Sequence, residues 1–359
     1  MAWPTPEYSR SQVNRAGRML CDETPDAAQH CRATAVLNNW RSCHGYPINT
    51  FQATLRDKLK KIDTNALVAQ RLKRSPSIIR KLQRFAGMQL ARMQDIGGLR
   101  AVVGTLGMVR DLEQSYRESR FAHELIAERD YITNPKPSGY RSVHLIYRYK
   151  NSRTPDYNGL LIELQIRTRL QHAWATAVET MGTFLDHALK SSEGPQEWLT
   201  FFSLTGSGFA HLEGCTPVPG YESLSRKQTF RKVATQATRL TVKERLTAFS
   251  IAADAIAQDT TRRSHSYHLI VLDPVKRSVT ITSYARGRLM EASRDYTQEE
   301  LRIRDGEPLE VVLVSAGPID ALRRAYPNFF LDTHEFIKEL TRMEKLAKAH
   351  ANKAPDAKG

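Results

Sequence analysis

Residues 143–168, "VHLIYRYKNSRTPDYNGLLIELQIRT", decide the fold class. Two apolar runs, 143–150 and 159–168, flank a turn rich in Asn, Ser, Pro and Asp, which predicts a hairpin-like strand pair. Working outward, "LRAVVG" (99–104) reads as a strand and "MVRDLEQSYRESRF" (108–121) as a helix. A long helix, "RLQHAWATAVETMGTFLDHAL" (169–189), follows the hairpin. Strands interspersed with helices without a strict βαβ repeat indicate an α+β fold with a mixed sheet.

Upstream, residues 8–62 are expected to be helical with a break near Tyr46-Pro47. "NALVAQRLKRSPSIIRKLQRF" (65–85) reads as two helical pieces joined at Ser75-Pro76, since Pro in a first turn is a normal helix start. Residues 195–258 carry further helices around the loop "GCTPVPGYES". The composition then changes. Residues 266–285 read as two strands around an Asp-Pro turn, 309–316 as a third, and 318–330 and 332–349 as helices. These boundaries predict a large domain over 1–259, a small α+β unit over 260–345 and a frayed tail over 346–359.

The 359 residues carry a formal net charge of +15, with apolar and charged fractions of 41% and 25%. These values exclude a disordered or fibrous class. No run approaches the length of a membrane span, and the first residues lack the apolar stretch of an export signal, so a cytoplasmic protein without a membrane partner is expected. Cys21, Cys31, Cys43 and Cys215 have neither CxxC spacing nor a matching His pair, which argues for free thiols and no zinc. Between Arg56 and Arg92 stand eleven Lys/Arg against Asp57 and Asp63. Such a concentration is either a solvated helix face or a field that gathers polyanions.

Phosphoryl transfer requires cations around the transferred group and carboxylates for Mg²⁺. Asp95 in "QDIGGLR" precedes one strand and Glu163 in "IELQIRT" lies within another, each followed by an arginine, Arg100 and Arg167. On neighbouring strands the two acids would face one cleft. No GxxxxGK[ST] loop and no kinase motif occurs. Phosphates would therefore be held by side chains, for which Arg71, Lys73 and Lys81 are spaced; positions 73, 77 and 81 share a face if one helix runs through them.

Four collinear motifs carry a resemblance: "RLKRSPSIIRKL", "QDIGGLRAVV", "YITNPKPSGYRSVH" and "IELQIRTRLQHAWATAVE". Together, over roughly residues 35–215, they resemble the RelA/SpoT-type alarmone synthetase domain. The resemblance implies a nucleotidyltransferase-like mixed sheet flanked by helices. It also implies a pyrophosphokinase that moves the diphosphate of ATP onto a ribose 3′-hydroxyl with Mg²⁺. By motif, Arg71, Lys73, Ser77, Lys81 and Arg100 would bind ATP, and Asp95 and Glu163 would hold the metal or serve catalysis. Lys136, Gly139, Tyr140, Arg141, His144, Gln165 and Arg167 would form the acceptor side. Tyr140 would be the stacking platform and Gly139 would let the backbone approach the acceptor. Trp174 is expected in the core, and His172 is divided between packing and support of the site.

No His-Asp metal pair precedes these motifs, which sets the expectation of a small synthetase. "NNWRSCHGYPINTF" and "EWLTFFSLTGSGFAHLEG" resemble the toxic branch of that class, which implies the 3′-CCA end of tRNA as acceptor. The C-terminal unit resembles the pseudo-zinc-finger antitoxin domain of CapRel-type antiphage proteins. That resemblance implies autoinhibition through Tyr326 and Phe329 in "AYPNFF", relieved by a phage protein such as the major capsid protein. Here Phe329 replaces the second tyrosine of the pattern. Two alternatives stand beside this reading: a synthetase acting on GDP or GTP, and a catalytically silent nucleotide- or RNA-binding module.

Overall fold

The computed structural model describes residues 3–22, 26–119, 121–184, 189, 194–243, 246, 267–273, 276, 278–285, 287–307, 309–315 and 333–349. Tyr326 and Phe329 lie outside these residues. The fold is α+β, as the hairpin predicted. Helices α1 (Arg10–Met19), α2 (Ala27–Ser42) and α3 (Gly45–Ile62) open the chain, followed by β1 (Leu67–Leu72), α4 (Ser75–Arg84), β2 (Gly97–Val103) and α5 (Leu106–Glu118). Next come β3 (Glu124–Asp130), β4 (Val143–Arg148), β5 (Leu161–Thr168), α6 (Arg169–Phe184), α7 (Gln196–Glu213) and α8 (Arg226–Arg239). The C-terminal elements are β6 (Tyr267–Asp273), β7 (Ser278–Tyr284), α9 (Leu289–Arg304), β8 (Glu310–Ser315) and α10 (His334–Ala349).

The eight strands of the described residues form one sheet in the order β3-β4-β5-β2-β1-β8-β6-β7. Only β2 and β5 run parallel; β4 and β5 form the antiparallel pair expected from 143–168. Residues 67–72 are a correction to the helix expected there. Leu, Ala, Gln and Arg favour helix locally, but the segment completes an antiparallel ladder from Leu67↔Val102 to Leu72↔Gly97. Tertiary pairing overrides that preference. α4 begins at Ser75 with Pro76 in its first turn, as read.

Period-two alternation along β5 separates two environments. Leu164 and Ile166 join a core with α2, α3 and α5, whereas Glu163 and Gln165 face the opposite side. A second core gathers Trp174 and Val178 of α6, Phe201 and Phe209 of α7, Phe230 of α8, and Phe336, Leu340 and Met343 of α10. A small third core contains Leu269, Tyr284, Ala292, Tyr296 and Val311. The C-terminal residues therefore serve two cores: strands β6–β8 and α9 pack together, while α10 returns to α6–α8. Among the described residues, no helix is long and apolar enough to cross a membrane. The four cysteines are free thiols.

Candidate active site

A cavity of about 1990 Å³ opens over α4 from end to end, the start of β2 and the middle of β5. Asp95 and Glu163 both line it, as do Lys73, Ser77, Lys81 and Arg100. The parallel register explains the convergence. Glu163 stands opposite Gly98, which adds no side chain between them, and Arg100 stands opposite Gln165. Asp95 lies just before the paired part of β2 and enters from the same end.

Asp95 is gripped by both lysines, with Lys73 Nζ donating to Oδ2 at 3.0 Å and Lys81 Nζ to Oδ1 at 2.9 Å. Burial raises its pKa, but the two ammoniums outweigh that and hold it at about 2, against an ordinary 3.8. Arg71 lies on β1 opposite Gly98; its side chain is outside what the structure describes.

Glu163 belongs to a second chain of contacts. His144 Nδ1 lies 2.8 Å from Glu163 Oε1, and Gln165 Nε2 donates to Oε2 at 2.8 Å. Burial pushes this carboxyl up, but the adjacent His144 holds it below its ordinary value. An ionised carboxylate only accepts hydrogen bonds, so Nδ1 carries the proton. On the other side of the ring, Nε2 lies 2.8 Å from the Tyr140 hydroxyl. Burial raises the pKa of Tyr140 and keeps that hydroxyl protonated.

The residues expected to bind the acceptor divide. Lys136, Tyr140, His144 and Gln165 line the cavity. Tyr140 is only 6% exposed. Lys136 Nζ sits 5.3 Å from its ring centroid and 4.4 Å from that of Tyr131. A base stacking on that face of Tyr140 would displace the ammonium.

Three of the residues expected on the acceptor side lie in packed surroundings. Arg141 does not line the cavity: at 2% exposure it ion-pairs with Glu213, at the end of α7, at 2.8 Å. Thr168 and Gln171 hold the same carboxylate. Leaving so deep a guanidinium unpaired would cost more than any ligand contact it could make. Gly139 is packed closely against α6 and α7. Its φ is +95°, and a Cβ there would lie 2.9 Å from Phe202 O and from Trp174 Cζ2. Gly206 of α7 meets it, since a Cβ on Gly206 would come within 2.7 Å of Gly139 Cα. Arg167 is fully buried and likewise does not line the cavity. Trp174 is core, its Nε1 donating to Phe202 O at 2.9 Å. His172 is buried as well.

Sequence reasoning missed Glu179, a further acid in the cavity, whose one signal was its charge on the apolar face of "AWATAVETMG". It also missed α9, whose Thr297, Glu300, Leu301 and Arg304 form part of the rim. Among the described residues no group of three or more His, Cys, Asp or Glu side chains is placed to hold a metal. Asp95 and Glu163 instead fit Mg²⁺, which takes one or two carboxylates and completes its shell with phosphates and water.

Residues 70–182 match the family described as "Region found in RelA / SpoT proteins". The GTP pyrophosphokinase YjbM of Bacillus subtilis is 37% identical over 114 residues, which are 30% of this chain and 52% of that protein. An uncharacterized protein of Mycobacterium tuberculosis is 28% identical over 196 residues, covering 54% of this chain and 65% of its own. The chain thus spans about half to two thirds of these relatives. The solved small alarmone synthetase 1 from Bacillus subtilis is 26% identical, with 47% of this chain and 90% of that chain covered at a TM-score of 0.40.

Proposed function

We propose that the protein is an ATP-dependent pyrophosphokinase of the RelA/SpoT type, with the 3′-CCA end of tRNA as its acceptor. The observation that carries the reading is the convergence of Asp95 and Glu163 on one cavity beside Lys73 and Lys81. Lys73, Ser77, Lys81 and Arg100 hold the triphosphate of ATP, with Arg71 on the adjoining strand. When ATP enters, its phosphates compete with Asp95 for the two ammoniums and release the carboxylate. Asp95 and Glu163 would hold Mg²⁺, which would supply positive charge beside the transferred diphosphate.

The acceptor hydroxyl attacks the β-phosphorus, the bond from that phosphorus to the bridging α–β oxygen breaks, and AMP leaves. Glu163 takes the hydroxyl proton, with His144 and Gln165 orienting its two oxygens. His144 also fixes the Tyr140 hydroxyl and so the angle of the ring beside the acceptor. Positioning and fixed charge supply most of the rate enhancement in such transfers.

The cluster of eleven basic residues between Arg56 and Arg92 supports an RNA acceptor, because phosphate contacts provide most sequence-independent affinity. A second reading, with GDP or GTP as acceptor, is favoured by the name of the Bacillus subtilis relative. Incubation with ATP labelled in the β,γ-phosphates and either bulk tRNA or GDP/GTP separates the two. Label on tRNA is expected; label on the guanosine nucleotide alone overturns the tRNA acceptor. Loss of all transfer in Glu163→Gln is expected, and unimpaired action on cells by that variant would favour a silent binding module.

The C-terminal part is proposed as an autoinhibitory sensor that a phage protein, such as a capsid subunit, releases. The position of α9 on the cavity rim supports occlusion from that side. Deleting the C-terminal third is a poor test, because α10 supplies Phe336, Leu340 and Met343 to the second core. Point variants on α9 test it cleanly.

A further inference from the structure

We infer that Phe85, at the end of α4, is a stacking platform for an unpaired base of the acceptor RNA, an inference that rests on the tRNA reading above. Phe85 is 48% exposed and is the only aromatic among the exposed large apolar side chains of the described residues. It lines the same cavity as Asp95 and Glu163. The ring is held out by its backbone: Phe85 N–H donates to Lys81 O at 3.2 Å, and Met88 N–H donates to Phe85 O at 3.0 Å. Gly87, with φ of +82°, closes that turn. The backbone that carries the ring is thereby fixed at the cavity edge.

The surroundings select the ligand. The Arg84 guanidinium carbon lies 5.5 Å from the Phe85 ring centroid, and Arg80 and Arg92 line the same cavity. An aromatic face interleaved with arginines suits single-stranded nucleic acid, whose bases stack while its phosphates meet the cations. A protein partner needs several hundred Å² of apolar or mixed surface, and one ring does not supply it. Tyr140, the ring that the motif suggested, is enclosed and already faces Lys136. Phe85 is the most exposed aromatic of the lining, Tyr131 being half-buried under Lys136, so the penultimate bases of the RNA end stack there while the terminal ribose reaches Glu163.

The full chain tests this by fluorescence anisotropy, with a labelled single-stranded RNA ending in CCA and no ATP present. Phe85→Ala is expected to weaken RNA binding roughly 5- to 150-fold. Phe85→Trp should restore it, and Phe85→Leu should not, because leucine keeps apolar area without a flat face. The exposed position leaves the thermal midpoint unchanged in all three. Equal RNA affinity in wild type and Phe85→Ala overturns the inference and leaves the tRNA acceptor standing. No RNA binding by the wild type, with transfer to GDP intact, overturns both. A loss of ATP affinity alone, measured in parallel, assigns the ring to the donor base and also overturns the inference.

Discussion

Arg41 on α2 and Glu300 on α9, 259 positions apart, form a buried ion pair at 3.2 Å. Around it the groups are fully shared. Arg41 also donates to Ser75 Oγ at 2.7 Å, to Tyr296 Oη at 2.9 Å and, through Nε, to Lys73 O at 3.0 Å. Tyr296 donates to Glu300 Oε1 at 2.7 Å, and the same oxygen accepts from Ser75 N–H at 2.9 Å. Ser75 opens α4, so Glu300 meets one of the free N–H groups of the helix that carries Ser77 and Lys81. One carboxylate thereby fastens the C-terminal helix to the phosphate-side helix.

Removing one partner of a buried pair strands the other charge. Glu300→Ala should lower stability by about 3–5 kcal/mol in denaturant unfolding, and hydrogen exchange over 289–304 should accelerate. If α9 restrains the cavity as proposed, the variant also binds a non-hydrolysable ATP analogue more tightly. Unchanged exchange over α9 would show that its docking depends on other contacts.

Asp95 makes stability depend on acidity. A carboxyl whose pKa is lower folded than unfolded stabilises the fold above its ordinary 3.8, and that contribution is lost as pH falls through about 2. The difference amounts to about 2 kcal/mol. Asp95→Asn should therefore be less stable than wild type at neutral pH, with the gap closing between about pH 4 and about pH 2. Diphosphate transfer by this variant should fall about a hundredfold or more.

Lys136 and Tyr140 can be separated kinetically. Tyr140→Phe loses one hydrogen bond to His144, about 0.5–1.5 kcal/mol, and should lower kcat through the orientation of Glu163 with little change in KM for the acceptor. Lys136→Ala uncovers the ring and removes a cation, so its effect should fall on acceptor KM and on the salt dependence of binding. Steady-state kinetics over a range of salt distinguishes the two patterns.

Gly206→Ala tests the contact between α7 and the loop bearing Tyr140. The added methyl meets Gly139 backbone, which cannot yield as a side-chain tip would. A loss of about 1–3 kcal/mol is expected, with weakened transfer, because Tyr140 moves with the loop. Wild-type melting and activity would show that the loop adjusts freely.

The acids near strands and the hairpin with clean apolar runs were legible before the fold, whereas the helical spacing of Lys73 and Lys81 was not what joined them, since Lys73 precedes α4 and the two meet through Asp95. The misreadings share a different cause. β1 is a strand only because β2 lies beside it, and its own side chains favour helix. Arg141 and Gly139 sit within a motif that reads as substrate contact. Their partners, Glu213 and Gly206, are on a helix some seventy residues later, and no local pattern connects them. Glu300 lies on an ordinary charged helix, and its role exists only where Arg41 meets it.

The sheet has one narrow seam. β8 adjoins β1 through two aligned positions, Gln70↔Ser315 and Arg71↔Val314, and everything from β8 to β7 hangs on that side. Peeling the C-terminal strands away would bare a raw border of β1, with amide and carbonyl groups ready to template another chain. Release of this region therefore carries a self-association hazard unless an incoming strand takes the vacated place.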